Sequence, residues 1–213
     1  MSAFVLRVWL PDRPGALGAV ASRIGAVRGD LIGIDILERG AGRVIDELVV
    51  ELPDDDLLPL LVAEVSQVDG VDVEDVSALR SPMADPRVDA LETAAALVEQ
   101  STRSGLFDEL VSHLGHALEA EWVVVADDSA QSVLASSGES PPLGWLAAFV
   151  AGTQTSAMVA AGECGPDDVA CASLPKAGLM VVLGRKGRPF RARERQQLAA
   201  LARIADRRVA ELD

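Results

Sequence analysis

Residues 12–35 read DRPGALGAVASRIGAVRGDLIGID, a succession of residue types that writes a turn, a helix and a strand. Pro14 presets φ for a helix start and Gly15 permits a close backbone approach. Leu17, Val20, Ile24 and Val27 follow at spacings of three, four and three, which is one apolar stripe on a helix. Gly29 closes that helix, and Asp30 turns the chain into a strand over Leu31 to Leu37. Upstream, Phe4, Leu6, Val8 and Leu10 alternate with Val5, Arg7 and Trp9. That alternation predicts a strand with one strongly apolar face, ended by Pro11.

The segment Arg43 to Leu52, RVIDELVVEL, predicts a third strand, joined to the second by a short hairpin loop at Gly40, Ala41 and Gly42. Asp54, Asp55 and Asp56 offer caps for a second helix with Leu57, Leu60, Leu61, Val65 and Val68 as its apolar residues. Pro59 falls in its first turn, where proline is tolerated. Gly70 ends that helix, and Val71, Val73, Val76 and Leu79 form a fourth strand of imperfect spacing. The order is βαββαβ.

Ala3 to Leu79 therefore resembles the ACT domain, through the D-R-P-G turn of Asp12 to Gly15, the Leu17 helix and the Gly29 exit. The resemblance implies a ferredoxin-like α/β (α+β) fold, pairing with a second copy, and an amino-acid effector lodged between the first loop and the second strand. On this chain it implicates Asp12, Pro14, Gly15, Ala16, Leu17, Leu31 and Ile32 as ligand-binding residues. Backbone N–H groups at a helix start receive a carboxylate, and Asp12 beside them accepts from an ammonium group. The alternative is structural: Asp12 caps the helix, Pro14 and Gly15 shape the turn, and the domain dimerises without ligand. Serine-binding relatives carry an asparagine at the start of the second strand, where this chain has Leu31 after Asp30.

Beyond residue 80 the character changes. Arg80 to Pro86, RSPMADP, reads as a linker, and Val88, Leu91, Ala95 and Val98 then mark a connecting helix. The expected division is an ACT-like domain at 1–80, linker and connecting helix at 81–104, and a second domain at 105–213. Within the second domain, Gly105 to Leu118 is an amphipathic helix, Trp122 to Ala126 a buried strand and Ser132 to Ala135 a second one. Leu143 to Val150 reads as a helix, and Ala170 to Leu174 with Leu179 to Leu183 as a hairpin. A final helix runs from about Arg191 to Leu212, with Leu198, Ala202, Ala205, Val209 and Leu212 as a pairing seam. Gly105 to Asp213 resembles a GAF domain, a sensor module, most closely through Leu174 to Pro175, the Gly184 strand end, and Pro189 to Phe190. That resemblance implies an α/β sandwich with a central antiparallel sheet. The short stretch Gly152 to Asp168 offers little for a ligand-closing cap, so no ligand contact is assigned there.

Charge and chemistry narrow the function. The chain carries a net charge of −14, which opposes long-range attraction to phosphate. The arginines at 191, 193 and 195 are accompanied by no stacking aromatic but Phe190, so nucleic acid is not an expected partner. No apolar run reaches the roughly 18 residues of a membrane span, and no secretory leader is recognisable, so a cytoplasmic protein is expected. His113 and His116 share a helix but lack further ligands for a metal. Cys164 and Cys171 leave a thiol-dependent reductase as a remote alternative, since the surrounding motif of such GAF domains is missing. Asp127 and Asp128 read as turn initiators. No catalytic residue and no cofactor is assigned. The expectation is a regulatory, non-enzymatic sensor: an amino acid binds the ACT-like domain of a homodimer, and the state is relayed to an unidentified effector protein. A ligand-free dimeric scaffold is the alternative.

Overall fold

The structure, a computed structural model, describes residues 2–79, 86–127, 129–161 and 166–212. Residues 80–85 of the expected linker Arg80–Pro86, Asp128 and Cys164 lie outside them. The chain divides into two compact units, Met1–Met83 and Ala84–Asp213.

In the first unit the elements run β1 (Ser2–Pro11), α1 (Ala16–Ala26), β2 (Asp30–Gly40), β3 (Arg43–Leu52), α2 (Leu58–Ser66) and β4 (Asp72–Ala78), with a single 3-10 turn, Asp55–Leu57, leading into α2. The strands form an antiparallel sheet in the order β2-β3-β1-β4, which is the ferredoxin-like arrangement. Leu6, Val8 and Leu10 of β1 and Leu48, Val50 and Leu52 of β3 pack under Val20 and Ile24 of α1 and Leu61 and Val65 of α2. The period-two alternation of the strands and the three-four spacing of the helices bury the same layer.

Three local features depart from the simple pattern. The left-handed residue that ends α1 is Arg28, at φ 62°, not Gly29. Gly29 is required for space, because a Cβ there would sit 3.0 Å from Ile24 Cγ2 and 3.1 Å from Val50 Cγ1. Leu60, expected inside, faces solvent, because the inward stripe of α2 runs through Leu61 and Val65, four residues apart, and leaves Leu60 beside it. The uneven spacing of β4 comes from a bulge: Val8 pairs with Val73 and Arg7 with Asp75, so Val73 and Val76 share the core side although three residues apart.

The second unit comprises α3 (Pro86–Glu99), α4 (Arg103–Ala117), β5 (Trp122–Asp127), β6 (Val133–Gly138), α5 (Leu143–Thr155), α6 (Ala157–Ala161), β7 (Val169–Leu174), β8 (Leu179–Gly184) and α7 (Ala192–Leu212). Its antiparallel sheet has the order β6-β5-β8-β7. One face carries α4 and α7 through Leu106, Leu110, Leu114, Leu198 and Ala205. The other carries α5 through Leu146 and Val150, which pack on Trp122, Val124, Met180 and Val182.

The connecting helix α3 is part of this unit and turns in a different face from the expected stripe. Leu97 and Thr93 are buried while Val88, Leu91 and Val98 are exposed. A threonine can face inward here because its hydroxyl lies 2.8 Å from the Asp89 carbonyl and 3.1 Å from His113 Nδ1. The seam of α7 is occupied within the chain: Leu198, Ala202, Ala205 and Val209 belong to the core.

A buried ion pair ties the ends of three elements together. Arg185 donates to Glu194 Oε1 at 2.7 Å and to the carbonyls of Leu118, Arg188 and Pro189 at 2.7–2.9 Å, and its guanidinium lies over Phe190. Removing one member of such a pair leaves a buried charge without its counter-ion. Glu194→Ala should therefore destabilise the second unit by about 3–5 kcal/mol, read from urea unfolding followed by the fluorescence of Trp122 and Trp145 in a Trp9→Phe background.

Candidate functional site

The turn that carries the expected ligand residues is anchored by backbone. Asp12 N–H donates to the Gly42 carbonyl at 2.9 Å, tying the turn to the β2–β3 hairpin, and Arg13 N–H donates to Pro11 O at 2.8 Å. Gly15 takes φ 88°, a left-handed conformation that suits glycine, and stands as the N-cap of α1. No side chain caps this helix among the described residues. Asp12 is thus not its cap, contrary to the structural alternative for that residue. Ala16 N–H bonds the Arg13 carbonyl and Ala19 N–H the Gly15 carbonyl. The N–H groups of Leu17 and Gly18 stand between them at the positive end of the helix dipole, where an anionic group is favoured.

The expected site residues fall into two groups. Asp12, Pro14, Gly15, Ala16 and Leu17 gather at the end of the sheet where β1 finishes. Leu31 and Ile32 lie at the other end, because Leu31 pairs with Val50, which in turn pairs with Phe4 near the start of β1. From Phe4 to Pro11 is seven strand residues, so roughly 23 Å separates the two groups in one chain.

Between them runs the free edge of the sheet. β2 is an edge strand, and Ile32, Ile34 and Ile36 along it are 49%, 45% and 42% exposed. Bulges after Leu31 and after Ile36 set their register against β3.

One polar residue of the region was missed from the sequence. Asp46 of β3 pairs with Val8 on one side and Ile36 on the other, close to the Asp12 end, and shares the helix-facing side with Leu48 and Val50. It is only 5% exposed, and its Oδ1 has no hydrogen-bond partner. Burial pushes its carboxyl above the usual range; Arg39 draws it back and Asp12 pushes it further up. The signal was legible in RVIDELVVEL: Val44, Asp46, Leu48, Val50 and Leu52 form one alternation, with a charge where the pattern asks for an apolar side chain.

The other candidates hold structural roles. His113 Nε2 lies 2.7 Å from Glu109, and among the described residues no three metal-ligating side chains cluster. Asp127 Oδ1 accepts from Ser129 N and Oγ and from Gln131 N, an Asx turn whose donors, the Ser129 hydroxyl foremost, hold its carboxyl below the ordinary range. Burial raises the Cys171 thiol, against the pull of Arg195 and Thr153, the opposite of what an attacking thiolate needs. Arg195 spends its guanidinium on the carbonyls of Phe190 and Asp167. No described helix is long and apolar enough to cross a membrane.

No protein-family model matches the sequence, and no curated protein matches it significantly. Among solved structures, the chain is similar to the ACT domain from GTP pyrophosphokinase of Chlorobium tepidum, at 19% identity and TM-score 0.30, over 37% of this chain and 97% of that one. It is also similar to a protein of unknown function from Galdieria sulphuraria, at 15% identity and TM-score 0.33, over 47% and 64% of the two chains. A formyltetrahydrofolate deformylase from Pseudomonas putida KT2440 matches at 16% identity and TM-score 0.32, over 46% of this chain and 39% of that one.

Because the folded state holds the Asp46 proton more tightly than the unfolded chain does, the protein should lose stability as pH rises from below the ordinary carboxylate range through the higher titration point of Asp46. Asp46→Asn should accordingly melt at a higher temperature than wild type at pH 7. Calorimetric scans across pH should show that gap closing as the solution is acidified.

Proposed function

We propose that this protein is a regulatory, non-enzymatic sensor whose first unit, an ACT-like domain, binds a small amino acid between two paired copies. The observation that carries the reading is the split of the ligand residues to opposite ends of one sheet, with an uncovered apolar edge between them. An antiparallel pairing of β2 with the β2 of a second copy, about a two-fold axis near Ile34, places Ile32 against Ile36 and reunites the groups. Leu31 and Ile32 of one copy then approach Asp12 and the α1 start of the other. Isologous pairing of this kind uses the same edge twice and covers backbone groups that an edge strand otherwise leaves open.

In this reading the ligand carboxylate lies on the N–H groups of Leu17 and Gly18, and its ammonium group lies toward Asp12. An effector bound at the seam stabilises the paired geometry over the separated one and shifts the population accordingly. The second unit, read as GAF-like, relays that state to a partner protein. The exposed stripe of Val88, Leu91 and Val98 on α3, bordered by Glu92 and Glu99, is suited to a partner with basic residues.

Thermal unfolding of the purified protein against the proteinogenic amino acids tests the site. A ligand at one hundred times its dissociation constant should add about 2.7 kcal/mol, and Asp12→Ala should reduce the shift. Light scattering tests the pairing: wild type should be a dimer, and Ile34→Lys a monomer of unchanged fold with weakened ligand response. A dimer that responds to no amino acid would return the protein to the scaffold reading, and a monomeric wild type would remove the shared site.

A further inference from the structure

We infer that Asp46 is the carboxylate that recognises the α-amino group of the ligand, so that the site selects amino acids over the corresponding hydroxy and keto acids. The inference rests on the amino-acid reading proposed above and assigns that ligand its cationic contact.

Three placements carry it. The register puts Asp46 beside Ile36 on the free-edge strand and three rungs from the Pro11–Arg43 pair, where β1 ends and the turn into α1 begins. Its side chain is more than nine-tenths buried, and its Oδ1 lacks a partner. A carboxylate oxygen so placed loses its hydration without recovering a hydrogen bond, a cost that native folds tolerate where a ligand supplies the missing donor. Third, the uncapped start of α1 offers N–H donors to the ligand's carboxylate, so the site presents donors and an acceptor to the two ends of a zwitterion.

The other candidates are weaker acceptors for the ammonium group. At the start of β2, Asp30 is exposed, and Leu31 and Ile32 offer an ammonium group no side-chain acceptor. Asp12 is exposed, so its attraction is weakened by water and salt. Asp46 acts on an ammonium group from inside the protein, where a charge-assisted hydrogen bond is strongest. Two carboxylates at one end also disfavour ligands with acidic side chains.

Calorimetric titration of the full chain with the proteinogenic amino acids, set beside lactate, glycerate and 2-hydroxyisovalerate as amine-free analogues of alanine, serine and valine, tests this. Wild type should bind at least one amino acid and none of the hydroxy acids. Asp46→Asn should stay folded and dimeric and lose about tenfold or more in affinity for that amino acid, the loss of one charge-assisted bond. As a readout needing no substitution, the Asp46 carboxyl resonance of wild type should titrate at lower pH with the amino acid bound than without it. Equal affinity in Asp46→Asn, or an unmoved titration, would overturn the assignment of Asp46 and leave the amino-acid site standing. Binding of a hydroxy acid as tight as its amino acid would also overturn the assignment. Wild type that binds no amino acid would overturn both.

Discussion

A helix of eleven residues carries the chain from the top of β1 to the bottom of β2, and the rest of the first unit depends on that crossover. At about 1.5 Å per residue α1 covers roughly 16 Å, so β2 starts far from the turn where α1 began. The two strands run parallel with β3 between them, and β2 is left at the margin. That one connection fixes the uncovered edge, the position of Asp46 against Ile36 and the separation of Asp12 from Leu31. On the proposed reading, a site made of both loop and strand residues is incomplete within one copy, and a two-fold axis across the edge near Ile34 completes it twice. The proposed dimer uses the edge that this crossover leaves uncovered.

Buried charge is handled in two ways in this chain. Arg185 and Glu194 lie buried as a pair, with the guanidinium further committed to three carbonyls. The geometry returns much of what desolvation removes, and it fixes the end of β8 against the start of α7. On the exposed sheet side of the first unit, Arg7 is likewise held by Glu47 at 2.6 Å. Asp46 has no such arrangement, although Arg39 and Asp12 both act on it. Arg7, Arg185 and Glu194 are paired and buried Asp206 accepts from the Lys176 and Ala177 N–H groups, whereas Asp46 Oδ1 has no partner. Structural roles account for the first two; on the proposed reading, a ligand accounts for the third.

Much of the architecture was legible in the sequence because each element repeats its own period. Phe4, Leu6, Val8 and Leu10 declare a strand, and Val20, Ile24 and Val27 declare a helix, whichever fold contains them. What escaped were details of phase and period. The inward stripe of α2 runs through Leu61 and Val65 and leaves Leu60 outside, and the bulge opposite Arg7 made a three-residue spacing on β4 serve one face. On α3 the inward face is written in small residues and a threonine, Ala90, Thr93, Ala94 and Leu97, which carry less hydrophobic signal than Val88, Leu91 and Val98 on the outside. Composition suggested the wrong face because hydrogen bonding, not hydrophobicity, allowed Thr93 inside.

The site was half legible for a related reason. A turn motif such as DRPG is local and can be read directly, so the Asp12 group stands together as expected. Leu31 and Ile32 were assigned to the same site by resemblance, yet no local pattern reveals that they sit at the opposite end of the sheet; only strand order and register do. Asp46 is the converse case. Its anomaly is visible in the alternation of β3, but an inward-facing charge in a strand reads equally as an irregularity or as a site. The choice needs its surroundings: an apolar strand edge on one side and an oxygen without a partner, in a unit whose first helix starts uncapped. Taken singly each of these is a local imperfection of the fold. Together they supply one donor set, one acceptor and a seam to close over them, which are the parts needed to hold a small zwitterion.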